Sequence, residues 1–234
     1  MMSLFALADL HLSFGSNKPM DVFGETWHNH ATRIRDAWKD CVSANDYVLI
    51  PGDISWAMRE QEVVPDMQFL QELPGKKILL KGNHDYWWST KRKVEILAGP
   101  LCSILQNNAI ELEDFTLVGT RGWSLPDTTN FSSEDEAIYV REISRLRLSL
   151  EQGYPLGKPM LAMMHYPPTS HRGEQTAFTD LLEQFGVTHC IYGHLHGTAH
   201  KYRVQGFIRN VNYQLVASDY LNFTPFSMST WIQA

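Results

Sequence analysis

Cysteine is scarce in this chain of 234 residues: Cys41, Cys102 and Cys190 are three in number, far apart and in no Cys-x-x-Cys pair. An odd, scattered set builds neither a disulfide framework nor a thiolate metal site, so a reducing, cytoplasmic setting is expected. Long apolar runs are missing as well. No stretch approaches the roughly 18 consecutive apolar residues of a membrane span, and no membrane partner is expected. Basic charge is in deficit, with 20 Lys and Arg against 26 Asp and Glu and a net charge of −6. There is therefore no overall basic field to grip a nucleic-acid backbone, although a metal cluster could supply a local one. The N-terminus lacks the basic region and apolar core of a signal peptide, and Leu4 to Ala8 reads as a first strand.

What the chain does contain is apolar residue, 44% of the total, enough for a sizeable core. With no linker or repeat, a single domain over 1–234 is expected, carrying a loop-helix insertion near 121–152. Trp27, Ala31, Ile34, Trp38 and Cys41 share one face of a helix expected over Thr26 to Val42. A second helix is expected with Pro65 near its start, ending before Pro74-Gly75, and a third over Thr90 to Ala98. The strand-helix alternation that these make with Leu4 to Ala8, the Asp46 to Pro51 run and the Lys76 to Lys81 run predicts a parallel core sheet.

Beyond it, Cys102 to Gln106, Ile110 to Glu113 and Phe115 to Gly119 read as a meander. Helix is expected from Ser132 to Gln152, with a capping box of Ser133 and Glu136. Strands over Tyr202 to Ile208, Asn210 to Ala217 and Phe226 to Trp231 are expected to complete a second sheet.

Five apolar runs end abruptly in residues that bind metals. Leu4 to Ala8 precedes Asp9 and His11, and the second run ends in Gly52-Asp53. The third ends in Gly82-Asn83-His84-Asp85; Met160 to Met164 precedes His165; His189 to Tyr192 precedes Gly193-His194-Leu195-His196. Strands that finish in Asp, Asn and His bring those side chains together at one sheet edge, which points to a binuclear metal site. Asp-Leu-His fits a strand end, where alternation puts Asp9 and His11 on one face and Leu10 in the core. Asp-Leu-His and Gly-Asp are commonplace alone; Gly-Asn-His-Asp and Gly-His-Leu-His are far more specific, and the five in combination carry the reading.

In that order the motifs resemble the signature of the calcineurin-like metallophosphoesterases, spanning Asp9 to His196. The resemblance implies an α/β fold, a four-layer α-β-β-α sandwich of two mixed sheets flanked by helices. It implies that Asp9, His11 and His196 hold one divalent ion, that Asn83, His165 and His194 hold another, and that Asp53 bridges them. Oxygen and imidazole ligands suit Mn, Fe, Zn, Co or Ni. Two such ions with two carboxylates leave a site charge of about +2, which attracts a phosphoryl group. The implied reaction is hydrolysis of a phosphoester by in-line attack of a hydroxide that the two metals share.

His84, beside a ligand but not assigned as one, fits a group that assists the leaving oxygen. Asp85 either orients His84 or caps a helix before Tyr86-Trp87-Trp88. Gly52-Asp53-Ile54-Ser55-Trp56 lacks the Asp-Arg-Gly continuation of protein serine/threonine phosphatases. The opening Ala-Asp-Leu-His-Leu is similar to UDP-diacylglucosamine pyrophosphatases, but those carry Arg where this chain has His84.

A phosphodiesterase or phosphomonoesterase acting on a small or nucleotide substrate is the expectation that remains. Two alternatives stand beside it, a non-catalytic metal-binding scaffold of the same fold and a single-strand nuclease. Tyr166, His171, Arg172 and Arg121 are candidate substrate contacts. Trp87, Trp88 and Trp123 could stack on a base, although Trp87 and Trp88 read first as core packing. His28-Asn29-His30 spells a nuclease motif without its structural context and is set aside.

Overall fold

The computed structural model describes residues 2–229 together with 231 and 232. Contacts divide the chain into two units, Met1–Ile104 with Val216–Ala234, and Leu105–Leu215. Each is built on its own mixed sheet.

In the first unit the order is β1 (Leu4–Ala6), α1 (His30–Cys41), β2 (Tyr47–Pro51), α2 (Glu60–Glu72), β3 (Lys76–Leu80), α3 (Lys91–Ala98) and β4 (Cys102–Ile104). Parallel pairs β1-β2, β2-β3 and β3-β4 form the sheet expected from the alternation. The central strands β2 and β3 are buried along most of their length and largely apolar, as is usual in parallel sheets. Ile34 and Trp38 of α1, Val63, Met67 and Leu70 of α2 and Val94 of α3 belong to the same core as Val48, Ile50 and Leu79 of the strands. Trp87 and Trp88 lie in that core too.

The second unit contains β5 (Ile110–Glu111), β6 (Thr116–Thr120), α4 (Ser133–Gly153), β7 (Met160–Met164), α5 (Ala177–Gln184), β8 (His189–Tyr192), β9 (Gly206–Ile208) and β10 (Val211–Leu215). Its strand order is β5-β6-β7-β8-β10-β9. The pairs β6-β7, β7-β8 and β8-β10 are parallel and the edge pairs antiparallel. The final strand, β11 (Phe226–Ser227), pairs antiparallel with β1 in the first unit's sheet.

Four local expectations are corrected. The helix expected from Thr26 starts at His30, because Asn29 takes a left-handed φ of 53° and breaks the chain from the preceding 3-10 turn. The capping box uses Ser132 and Asp135, one residue earlier than Ser133 and Glu136, since Asp135 also receives the Trp123 indole at 2.9 Å, which locks that register. The meander is only half present: β5 and β6 form a hairpin, while β4 extends the first sheet parallel to β3. Of the three C-terminal runs, two yield β9 and β10 in the second sheet, and Phe226 starts β11 in the first. Thr230, within that last expected strand, lies outside the described residues.

Asp66 on α2 is fully buried, accepting a hydrogen bond from the Ser55 hydroxyl and one from the Phe14 amide at 2.8 Å. Burial outweighs both bonds and pushes its carboxyl up to about 6. The native state thus keeps a proton that the unfolded chain releases near the ordinary carboxylate pKa. Its contribution to stability is present at lower pH and declines as pH rises through roughly 4 to 6, by an order of 2–3 kcal/mol. Urea unfolding of metal-free protein across this range, compared with Asp66→Asn, should show wild type losing stability relative to the variant as pH rises. Parallel curves would remove the assignment.

Candidate metal centre

The first unit assembles its polar groups where β1 and β2 end side by side. The chain after β1 leaves regular strand geometry, with Asp9 at φ 59° and His11 at φ 45°, so the expected alternation does not place these residues. They are placed by a ladder that continues through the turns. The Asp9 amide donates to Gly52 O at 2.9 Å, the His11 amide to Asp53 O at 3.0 Å and the Leu12 amide to Ile54 O at 2.9 Å. Asp53 is itself left-handed, at φ 51°. Asp and His tolerate this conformation better than most side chains. Leu10, between the two ligand types, is fully buried as expected.

Asp9, His11 and Asp53 are all buried. Asp9 offers a carboxylate oxygen within 4.8 Å of a ring nitrogen of His11 and one within 4.8 Å of a carboxylate oxygen of Asp53. His11 Nε2 stands 3.8 Å from Asp53 Oδ2. Ser218 donates to the Asp9 carbonyl at 2.7 Å and steadies the turn from outside.

The turn after β3 is laced to Asp53. The His84 amide donates to Asp53 Oδ1 at 2.8 Å. A Cβ on Gly82 would sit 2.1 Å from that oxygen and 2.2 Å from the Asp53 nitrogen, so only glycine fits there. Asp85 is fully buried, and its carboxylate accepts from the amides of Gly82 (2.8 Å), Ile54 (2.9 Å) and Ser55 (3.1 Å) and from the Trp87 indole (3.1 Å). Burial raises its pKa, while these donors pull it back. Asp85 thus clamps the turn of Asp53 to the turn of Asn83 and His84. A helix cap is not what it supplies, because α3 begins at Lys91 behind Thr90.

Asn83 and His84 are half-buried beside it. Sequence reasoning missed Trp56, three residues past Asp53. Its ring stacks on His11 at 4.9 Å and lies 4.3 Å from His84. No local signal marked it, because the stacking partner His11 is 45 positions away in the chain.

The second unit repeats the device. β7 ends at Met164 and β8 at Tyr192, and their parallel pairing sets the following residues side by side, with the Gly193 amide donating to His165 O at 3.1 Å. His194 takes φ 74° and turns its ring so that Nδ1 lies 3.3 Å from His165 Nε2. Two nitrogens held by one ion at about 2.0–2.1 Å with a near-tetrahedral opening are about 3.3 Å apart, so the pair fits a shared metal. His196, half-buried, stands two residues on at the head of a 3-10 turn.

Tyr166 lies against His194 at 4.0 Å, and Trp123 against Tyr166 at 5.2 Å. Tyr166, His171, Trp123 and His194 line a cavity of about 440 Å³. Arg121 and Arg172 lie outside this lining. The Arg121 guanidinium pairs with buried Glu142 at 3.2 Å, and Arg172 is exposed on the surface.

The sequence pattern of the calcineurin-like phosphoesterases matches residues 2–198. The chain belongs to that family. It is accordingly a phosphoric ester hydrolase of α/β fold with two mixed sheets flanked by helices, and its polar clusters suit divalent metal. Among curated proteins, none matches it.

Solved structures do. A protein of unknown function from Aquifex aeolicus aligns with 100% of this chain and 99% of its own at 13% identity and a TM-score of 0.56. The phosphopantetheinyl hydrolase of Mycobacterium tuberculosis covers 92% of this chain and 88% of its own at 16% identity and a TM-score of 0.55. GAP50, the anchor in the inner membrane complex of Plasmodium, covers 93% and 72% at 12% identity and 0.51. At these identities the likeness concerns the fold. Among the described residues, no helix of the family member is long and apolar enough to cross a membrane.

Gly82→Ala tests the packing against Asp53. Displacement of that carboxylate should lower metal affinity by about tenfold or more, the size of effect seen when a ligand's supporting contacts are lost. Titration calorimetry on metal-stripped protein, with circular dichroism to verify folding, measures it. Wild-type affinity in the variant would show that Asp53 is not confined as described.

Proposed function

We propose that the chain hydrolyses a small phosphoester or nucleotide, as a phosphodiesterase or phosphomonoesterase, with two divalent transition-metal ions as cofactors. Asp9, His11 and His196 hold one, Asn83, His165 and His194 the other, and Asp53 serves both. The single observation supporting this most directly is the His165–His194 pair, whose nitrogens stand 3.3 Å apart at two adjacent strand ends. Asp53 adds to it, with one carboxylate oxygen 3.8 Å from His11 and the other tied to the His84 amide. The union of the two sets in one centre rests on the family's order of motifs. When bound, the ions supply positive charge for a phosphoryl oxygen and lower the pKa of water toward neutrality.

The protein's own groups do the remainder. His84 gives a proton to the departing oxygen, or stabilises the charge developing on it. Its ring is restrained by Trp56, and its backbone by Asp53. Asp85 orients His84 through the backbone, since its oxygens are engaged by Gly82, Ile54, Ser55 and Trp87. Fully buried Glu142 fixes the strand end beside His165: it receives Thr120 Oγ1 at 2.5 Å and Arg145 at 2.6 Å as well as Arg121. The Arg121 carbonyl in turn accepts from the His165 and Tyr166 amides at 3.1 and 2.9 Å.

His84→Ala should retain metal and lose turnover by roughly 10²- to 10⁴-fold, the usual worth of a positioned acid. Full activity in a metal-replete variant removes His84 from the mechanism. Metal-stripped protein, reconstituted in turn with Mn, Fe, Zn, Co or Ni, should hydrolyse a member of a panel containing a monoester, an acyclic diester, a cyclic nucleotide and a pyrophosphate. Silence with every metal and substrate would favour a non-catalytic scaffold.

A further inference from the structure

The 440 Å³ cavity of the second unit lies within the range of about 300–1,000 Å³ typical of small-ligand sites. Its walls come from the segments that follow β6, β7 and β8, the carboxyl ends of three adjacent parallel strands, where ligands of α/β sheets collect. It opens beside His194, one of the proposed metal ligands. Three features of the lining restrict what it can hold.

Aromatic rings are the first. Trp123 and Tyr166 contact each other, and Tyr202 meets His171 at 5.7 Å, so π faces stand on separate segments of the wall. They are held in place. The Trp123 indole donates to Asp135, and the Tyr166 amide is bonded to the Arg121 carbonyl.

Hydroxyl groups are the second, contributed by Ser124, Thr129 and Thr169 among others. They suit a ligand with alcohol or heteroatom groups of its own.

The third is charge. No Lys or Arg is among the lining residues, and the one carboxylate is that of Asp127. Two nearby cations are engaged by the rings of the wall instead: Arg121 pairs with Glu142 and packs its guanidinium over Trp123 at 4.5 Å, and Lys201 lies over the Tyr202 ring at 4.7 Å. A second phosphate placed in this cavity would lose water and meet no lysine or arginine in the lining, at a cost that an uncharged group avoids.

We infer that this cavity receives the non-phosphoryl part of the substrate, and that this part is an uncharged, hydroxylated group with an aromatic ring, of about nucleoside size and without a second phosphate. The inference names the substrate class for the hydrolase reading above and rests on it. Rings of Trp123, Tyr166 and Tyr202 take the aromatic face, and the hydroxyls satisfy the polar edge. Asp127 disfavours additional anionic groups.

Two measurements decide it. In the first, reconstituted full-length protein is assayed with 4-nitrophenyl phosphate and bis(4-nitrophenyl) phosphate as small probes, with adenosine 5′-monophosphate and its 4-nitrophenyl ester, and with adenosine 3′,5′-bisphosphate. For whichever ester class is cleaved, kcat/KM of the adenosine probe should exceed that of the small probe at least tenfold. The bisphosphate should fall at least tenfold below the monophosphate. Asp127→Lys should narrow that second ratio at least threefold, and Trp123→Ala should shrink the first. Equal kcat/KM values, or preference for the bisphosphate, overturn the inference.

The second measurement is ligand-observed NMR of adenosine itself with metal-free protein. Binding should weaken at least fivefold in Trp123→Ala and in Tyr202→Ala, and unchanged binding in both overturns the inference whatever the turnover results. Should no probe be hydrolysed while adenosine binding behaves as stated, the cavity assignment holds and the hydrolase reading is what fails.

Discussion

Left-handed backbone at the ends of parallel strands is the constraint on which the candidate site depends. Asp9, His11, Asp53 and His194 hold φ at 59°, 45°, 51° and 74°. Each such residue costs about 1–2 kcal/mol relative to ordinary strand or helix geometry. The turns are kept in place by hydrogen bonds that prolong the sheet, from Asp9 to Gly52 and from His11 to Asp53. In return the side chains leave the up-and-down alternation of a strand, and within the first unit Asp9, His11 and Asp53 bring their polar atoms close together. A strand of regular geometry would send alternate residues to opposite faces.

Around that edge the protein spends buried polar groups on holding backbone rather than on touching ligands. Asp85 bonds three amides and an indole, and by doing so fixes the spacing of two turns. Gly82 leaves the room that Asp53 occupies. Glu142 plays a comparable part in the second unit, securing the end of β6, whose Arg121 carbonyl holds the chain at His165. A buried carboxylate with one or two donors would be expensive; the cost is offset when several backbone or guanidinium donors surround it. These residues set the positions of the chemistry and are themselves removed from it.

Charge is distributed unevenly as a consequence. The clusters of Asp and His attract cations, and any bound cations attract phosphate. The adjoining cavity carries aromatic rings and hydroxyls, with the Arg121 cation drawn toward Glu142. In the proposed reading, phosphoryl recognition and recognition of the remainder of the substrate are left to different kinds of group, one electrostatic and one based on shape and stacking.

Much of this was legible in the chain itself, because hydrophobic periodicity and strand-end polar residues are local signals. The runs before Asp9, Asp53, Asn83, His165 and His194 each announce a buried strand followed by a turn, and their order identifies the family with the ligand candidates. Trp87 and Trp88 likewise read as core, and they are. Other features depend on contacts between distant residues and leave no local trace. Trp56 stacks on His11, Asp85 closes a clamp on Ile54 and Ser55, β4 joins β3 while β11 joins β1, and three loops surround a cavity with no lysine or arginine among its described lining residues. Sequence by itself determined which residue types stand at the strand ends, since apolar pattern and motif are written along the chain. Tertiary structure alone decided which backbone turns left-handed, which carboxylate is engaged by amides and which arginine is withdrawn from the pocket, since each is settled by a neighbour far away in sequence.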